Sequence, residues 1–364
     1  MKITFCIDSL SKGGAERVLV NLANYFAKSK TNKINILTLR KDNNIAYMLN
    51  NNVELISLNI NTGKKNAFQK IHNLILNLKT YKKYIKKNNP DIIISFLPRA
   101  SYYSAIIACI TKTKLIISER NNPNSIYANK IKKFITTHLY KKANMLIFQT
   151  NMAKNFFCKK IQKKAVVIPN PVSEEFFNKC YNGKRNKNIV NVGRLTEQKN
   201  QKLLIDAFYD FSKRHNDYNL IIYGEGPLRT ELEEYIKSLN LETLVKLPGI
   251  IDNIADKIVD SSMFVFTSNY EGMPNALMEA MTLGIPCIST DCPCGGPREI
   301  IDNGINGFLV PVGEKNEIVS KMEEIIMDDV SQKFSINAVE KMQLYKNDLI
   351  NEKWKNYIEK ILKG

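Results

Sequence analysis

Asn269-Tyr-Glu271-Gly-Met-Pro274-Asn-Ala-Leu-Met-Glu279-Ala-Met-Thr-Leu-Gly284 sets two glutamates eight positions apart around the entry to a helix. Pro274 suits a first helical position, and Ala276-Leu-Met-Glu-Ala-Met281 is a run of strong helix formers. Gly284 supplies the stop. On either side, Ser262-Met-Phe-Val-Phe-Thr267 and Ile285-Pro-Cys-Ile-Ser-Thr290 are short apolar runs that read as buried strands. The unit is strand, loop, helix, strand. A helix entry leaves backbone N–H groups free and carries partial positive charge, so it favours phosphate. At about 1.5 Å rise per residue, Glu279 would lie about 12 Å beyond Glu271. That is too far for the paired carboxylates of a retaining glycosidase, which stand about 5 Å apart. It suits two acids that bind different hydroxyls of one extended ligand with a phosphate between them.

Three further segments stand in order along the chain: Ser11-Lys-Gly13-Gly14-Ala-Glu-Arg17-Val, Gly193-Arg194-Leu-Thr-Glu-Gln-Lys199-Asn, and Tyr223-Gly224-Glu-Gly226-Pro227. With these, the 269–284 block resembles the Glu-x7-Glu motif of the retaining glycosyltransferases of family 4, which have the GT-B fold. The second segment looks like the family's phosphate-gripping Gly-Arg-Leu…Lys element, the third like its Gly-x-Gly-Pro turn, and the first like its N-terminal glycine loop. The resemblance implies an α/β chain of two Rossmann-like domains whose parallel sheets face across a cleft. It further implies retaining transfer of a sugar from a nucleotide-diphosphate donor, a UDP-hexose or UDP-N-acetylhexosamine, to a lipid-linked glycan acceptor. Such enzymes build capsule, O-antigen and other lipid-linked glycans. The nucleotide sugar is a co-substrate, and no cofactor is expected.

Arg194 follows a strand and Lys199 opens the next helix; two fixed cations near one helix N-terminus can neutralise a diphosphate leaving group without a metal. The sequence has no Asp-x-Asp, the metal-holding motif of the other large glycosyltransferase fold. By resemblance, Glu271 would hold a hydroxyl of the donor sugar and Glu279 the ribose hydroxyls, since a carboxylate can accept from two vicinal hydroxyls. The backbone amides of Asn275, Ala276 and Leu277 would meet phosphate. Gly193, Gly224, Gly226 and Ile250 complete the expected donor-binding set in the second half. Gly224-Glu-Gly-Pro-Leu-Arg229 matches the dinucleotide fingerprint only in part, because Arg229 replaces its third glycine; it reads equally as a structural turn. Gly13 and Gly14 either let the backbone approach a ligand or serve a tight turn with positive φ. One place departs from the family. Many relatives carry a His after the fifth strand, where this chain has Glu119-Arg120-Asn121. These three are candidate acceptor or donor-sugar contacts, and Arg120 cannot act as a base.

The 364 residues are comfortable for two domains, and 44% hydrophobic content can build two cores. No apolar run approaches the ~18 residues of a transmembrane helix, and Met1–Asp8 reads as a strand without a signal-peptide h-region. Seven scattered cysteines suggest a reducing compartment; Cys292 and Cys294 find no matching pair for a zinc site. Residues 1–180 carry 31 Lys and Arg against 8 Asp and Glu, +23, whereas 181–364 carry 22 against 27, −5. The basic half fits an anionic lipid surface, a phosphate-bearing substrate or nucleic acid. Nucleic acid is not expected, because interleaved exposed aromatics and a binding module are missing. The expected setting is cytoplasmic and peripheral, on the inner face of the membrane. A soluble-acceptor enzyme of the sucrose- or glycogen-synthase kind is the alternative.

Apolar strands alternate with helical stretches in both halves, as in parallel sheets covered on both faces. The first, acceptor-binding domain is expected over 1–175, a linker over Phe176 to Lys187, and the nucleotide-sugar domain over 185–345. Residues 346–364, with the only Trp at 354, resemble the helix that in GT-B proteins crosses back to the first domain. Phe68–Lys87 reads as a helix with Phe68, Ile71, Leu74, Ile75, Leu78 and Ile85 on one face and lysines over the remainder. It is either an ordinary surface helix or a basic one facing a membrane or a pyrophosphate-bearing acceptor.

Overall fold

A computed structural model describes residues 1–11, 13–41, 45, 47–60, 66–179, 181 and 183–364. Lys12 of the N-terminal glycine loop and Cys180 and Asn182 of the expected linker lie outside the described residues. The chain divides into two units, Met1–Pro169 with Ile350–Gly364, and Asn170–Leu349. The division falls earlier than residue 175 because Val172 and Phe176 belong to the core of the second unit, where the Val172 amide donates to the Tyr345 carbonyl.

The first unit holds a seven-stranded sheet: β1 Lys2–Ile7, β2 Lys33–Thr38, β3 Val53–Ser57, β4 Ile92–Phe96, β5 Lys114–Ser118, β6 Met145–Phe148 and β7 Ala165–Val167. Their order is β3-β2-β1-β4-β5-β6-β7, all parallel. The second holds six: β8 Asn188–Val192, β9 Asn219–Tyr223, β10 Val245–Gly249, β11 Met263–Phe266, β12 Cys287–Thr290 and β13 Phe308–Val310. Their order is β10-β9-β8-β11-β12-β13, again parallel. Strands such as β4 and β11 are fully buried along their length, because helices cover both faces, and this is why they read as unbroken apolar runs. In each sheet the order reverses beside the first strand, between β1 and β4 and between β8 and β11. Ligands bind beyond the carboxyl ends of strands at such switch points.

Expected elements fall within a residue or two of their observed ends, but the Pro98–Thr111, Lys130–Tyr140, Lys315–Ile325 and Asp328–Met342 helices and β13 lie outside the expectations. The Pro98–Thr111 helix is hard to read from the sequence because small, hydroxyl and apolar residues are mixed around it and leave no amphipathic period. The final helix, Asn347–Lys363, sends Ile350, Trp354 and Ile358 into the core of the first unit, where the Trp354 ring stacks on Phe96. Among the described residues, no helix is long and apolar enough to cross a membrane.

Candidate active site

In the second unit the site is assembled from loops at the carboxyl ends of β8, β9 and β11. The β8 and β9 loops are laced by backbone bonds: Gly193 N–H to Tyr223 C=O at 2.9 Å and Leu195 N–H to Glu225 C=O at 3.0 Å. A Cβ at Gly224 would lie 2.0 Å from the Gly193 carbonyl oxygen, and one at Gly226 would lie 2.2 Å from that of Leu195. Only glycine fits, so these two residues act by packing one loop on another, the structural side of the sequence expectation. Ile250, just beyond β10, leaves 64% of its surface exposed at this edge.

Arg194 is exposed. Lys199 sits two residues ahead of the Gln201–Ser212 helix rather than inside it, because Asn200 takes a left-handed backbone and caps that helix through its side chain. The Lys199 ammonium reaches Glu271 Oε1 at 2.6 Å, with 16% and 10% of the two side chains exposed. The same oxygen accepts from Ser268 Oγ at 3.0 Å, and the ammonium stands 4.7 Å over the Phe266 ring. Glu271 is itself held by its backbone, which bonds Pro293 and Cys294 on the neighbouring loop after β12. Burial, reinforced by the Glu271 charge, pushes the Cys292 thiol up to about 12.

The helix after Glu271 runs from Asn275 to Thr282, with Pro274 as its N-cap rather than its first residue. Proline has no side-chain oxygen to cap with, so the first amides, those of Asn275, Ala276 and Leu277, receive no bond from the cap side chain. Asn170 reaches in from the start of the unit to bond Asn275 Oδ1 at 2.7 Å. Glu279 is buried one turn inside this helix, about 6 Å beyond its start. Only the residues from 275 on are helical, so the 12 Å separation derived for an unbroken helix does not apply. What persists is the order: one acid before the uncapped amides, one behind them.

In the first unit, Gly13 caps the Gly14–Ala27 helix in extended backbone, φ −169°, so a left-handed turn is not the reason for glycine there. Its N–H donates to the Tyr47 hydroxyl at 2.9 Å, and that hydroxyl donates to its C=O at 2.6 Å. Glu119 is buried, and its carboxylate accepts from the Tyr127 and Tyr140 hydroxyls at 2.5 and 2.7 Å and from the amides of Arg120 and Asn121 at 3.1 and 3.2 Å. Four donors take up the capacity of one carboxylate, which corrects its candidacy as a sugar contact: Glu119 fixes the loop. Burial raises its pKa against the pull of the tyrosines. The Arg120 guanidinium lies 5.4 Å from the centroids of both Phe96 and Trp354, with Nε on Ser118 Oγ at 2.7 Å. Burial lowers it to about 9, opposed by the Glu119 charge. Asn121 remains half-buried at the loop. The tyrosine pair carries no local signal in the sequence, and Cys292 and Cys294 stand out there only as a rejected zinc pair, since the roles of both arise from contacts distant along the chain.

Sequence comparison assigns the family. The profile described as "Glycosyl transferases group 1" matches residues 172–342, and "Glycosyltransferase Family 4" matches 12–176. An uncharacterized glycosyltransferase of Methanocaldococcus jannaschii is 34% identical over 286 residues, 70% of either chain. The Campylobacter jejuni GalNAc-alpha-(1->4)-GalNAc-alpha-(1->3)-diNAcBac-PP-undecaprenol alpha-1,4-N-acetyl-D-galactosaminyltransferase is 28% identical over 99% of both chains. Among solved structures, Anabaena HepE in complex with UDP superposes with a TM-score of 0.79 at 19% identity, over 99% of this chain and 100% of that one. The fold is GT-B, and the chain is a glycosyltransferase belonging to the group 1 and family 4 glycosyltransferases.

Proposed function

We propose that this glycosyltransferase moves a sugar from a UDP-hexose or UDP-N-acetylhexosamine, with retention of configuration, onto a lipid-linked glycan in cell-surface polysaccharide synthesis. The observation that carries the reading is the Lys199–Glu271 contact at 2.6 Å, set directly before the uncapped amides at Asn275. A cation and free N–H groups prepare for a diphosphate, and an acid on either side prepares for hydroxyls at its two ends. Glu271 takes a hydroxyl of the donor sugar, and Glu279 the ribose. Arg194 and Lys199 stabilise the charge that develops on the departing diphosphate, so the reaction needs neither metal nor cofactor. Gly193 and the glycine-laced β9 loop hold these groups in place, and Ile250 offers an apolar surface to the base.

The acceptor class comes from the C. jejuni relative, which matches from end to end and whose named substrate is an undecaprenyl-diphosphate glycan. The donor comes from the nucleotide of the Anabaena complex. A lipid-anchored acceptor places the enzyme at a membrane face, and the +23 of residues 1–180 suits docking on the anionic inner leaflet. The test is product release across UDP-, GDP- and ADP-sugars with polyprenyl-diphosphate glycans, in the presence and absence of EDTA, with the product anomer read by NMR. Turnover with a UDP-sugar in EDTA and an unchanged anomeric configuration is expected. An inverted product, a strict Mg²⁺ or Mn²⁺ requirement, or preference for another nucleotide would overturn the corresponding part.

A further inference from the structure

Two helix starts on the first unit stand clear of its body. In the Ala67–Asn88 helix no residue from Phe68 to Leu76 is buried, and packing begins at Asn77. Phe68 is 82% exposed, Ile71 61% and Ile75 48%. In the Lys130–Tyr140 helix every residue from Lys130 to Ile135 is exposed, with Ile131 at 70% and Phe134 at 72%. Apolar side chains this open, on successive turns of two helices, exceed the scattered exposure of an ordinary surface.

Chain direction puts both starts on one edge. The first helix ends at Asn88, just before β4 opens at Ile92, and the second at Tyr140, just before β6 opens at Met145. Their C-termini therefore lie at the amino edge of the sheet and their N-termini point toward the carboxyl edge, where the Gly13–Gly14 and Glu119–Asn121 loops also stand. Both helices pack against the Pro98–Thr111 helix. The charge pattern is unusual as well. A helix start favours Asp or Glu, yet neither first turn holds an acid. Exposed lysines stand there instead: Lys70 on one helix, and Lys130, Lys132 and Lys133 on the other.

We infer that these two helix ends insert Phe68, Ile71, Ile131 and Phe134 into the boundary between headgroups and acyl chains of an anionic bilayer. The lysines pair with lipid phosphates around them. The occupant is lipid rather than protein because exposed apolar side chains stand beside cations and no acid in both first turns, on the half of the chain that carries +23. The inference rests on the membrane docking proposed above and adds a hydrophobic part to it. Attachment of this kind survives salt that screens charge, and it brings the carboxyl edge of the first unit to the bilayer surface.

The full chain and its Phe68→Ser, Phe134→Ser and double variants should be sedimented with phosphatidylcholine vesicles, with and without phosphatidylglycerol, at low salt and at about 1 M NaCl, where the Debye length is about 3 Å. Thermal unfolding should be unchanged in the variants, since both side chains are exposed. Wild type should bind anionic vesicles and stay partly bound at high salt. Each substitution should weaken partitioning about tenfold, and the double variant should bind only at low salt. Phe68→Trp should give an emission that shifts to the blue and is quenched by brominated lipid. If wild type ignores anionic vesicles at low salt, membrane docking falls altogether. If wild type binds but leaves fully at high salt, and the serine variants bind as well as it does, docking stands and insertion falls. A dimer in solution that Phe68→Ser dissolves would assign the face to a second copy and overturn the inference.

Discussion

Removal of either partner of the Lys199–Glu271 pair tests the centre of the site. At 2.6 Å the raw attraction is about 6 kcal/mol at an effective dielectric of 20. Most of it is offset by the cost of taking both charges from water, because only 16% and 10% of the side chains remain exposed. The asymmetry after truncation is what matters. Lys199→Met strands a carboxylate that keeps only its Ser268 bond, and Glu271→Gln leaves the ammonium a neutral amide oxygen and the face of Phe266 in place of its counter-charge. Each single change should cost about 2–4 kcal/mol of stability, and the double change little more than one, a coupling of about 2 kcal/mol. Urea unfolding of the four proteins gives this directly.

The functional side of the same cycle is sharper. Glu271 pairs with the cation to which the proposed diphosphate role is assigned, so Glu271→Gln should leave UDP affinity unchanged or raise it a few-fold while transfer falls about 10²-fold or more. Lys199→Met should lower both. Calorimetric titration with UDP beside steady-state turnover separates the two. Loss of UDP affinity in Glu271→Gln, or strictly additive stabilities in the cycle, would refute the argument that the two groups form one unit serving the diphosphate.

Glu279→Ala removes the proposed ribose contact, and calorimetry should show UDP binding weakened about 10- to 100-fold; unchanged affinity would count against that role. Gly224→Ala sets a methyl against a backbone carbonyl and should cost more than about 2 kcal/mol in thermal unfolding, whereas Gly13→Ala meets only the flexible end of Glu16 and should leave stability within about 1 kcal/mol. Should Gly13→Ala nevertheless abolish transfer, ligand approach is the reason for the glycine. Alkylation at pH 8 followed by peptide mapping should label exposed Cys109 and Cys158 and spare Cys292, which burial and the Glu271 charge keep protonated up to about 12.

The strands were legible in the sequence because a buried parallel strand must be apolar on both faces, and β4 and β11 have hardly another way to be read. The site motifs were legible because glycine, arginine and the two acids carry chemistry at short, fixed spacings. Two of the features that escaped did so for opposite reasons. The Pro98–Thr111 helix mixes small, hydroxyl and apolar residues around its circumference and has no clear period to find. The Glu119 network had a clear acid but joins residues 8 and 21 positions apart, so nothing local announced that two tyrosines would use its lone pairs. A carboxylate beside a strand end reads as a ligand contact until its donors are known.

The same long-range bonding joins the loops that carry the second-unit site. Asn269 donates from its backbone to Gln198 C=O and from its side chain to Glu197 C=O, while Gln198 Nε2 returns a bond to Tyr270 C=O. Thr267 Oγ1 spans the carbonyls of Lys199 and Asn200. Lys199 and Glu271, 72 positions apart, therefore do not find each other by side-chain reach alone; the backbones beneath them are already joined. Backbone bonds of this kind fix the two side chains relative to each other, and fixed charges act most strongly on a developing anion.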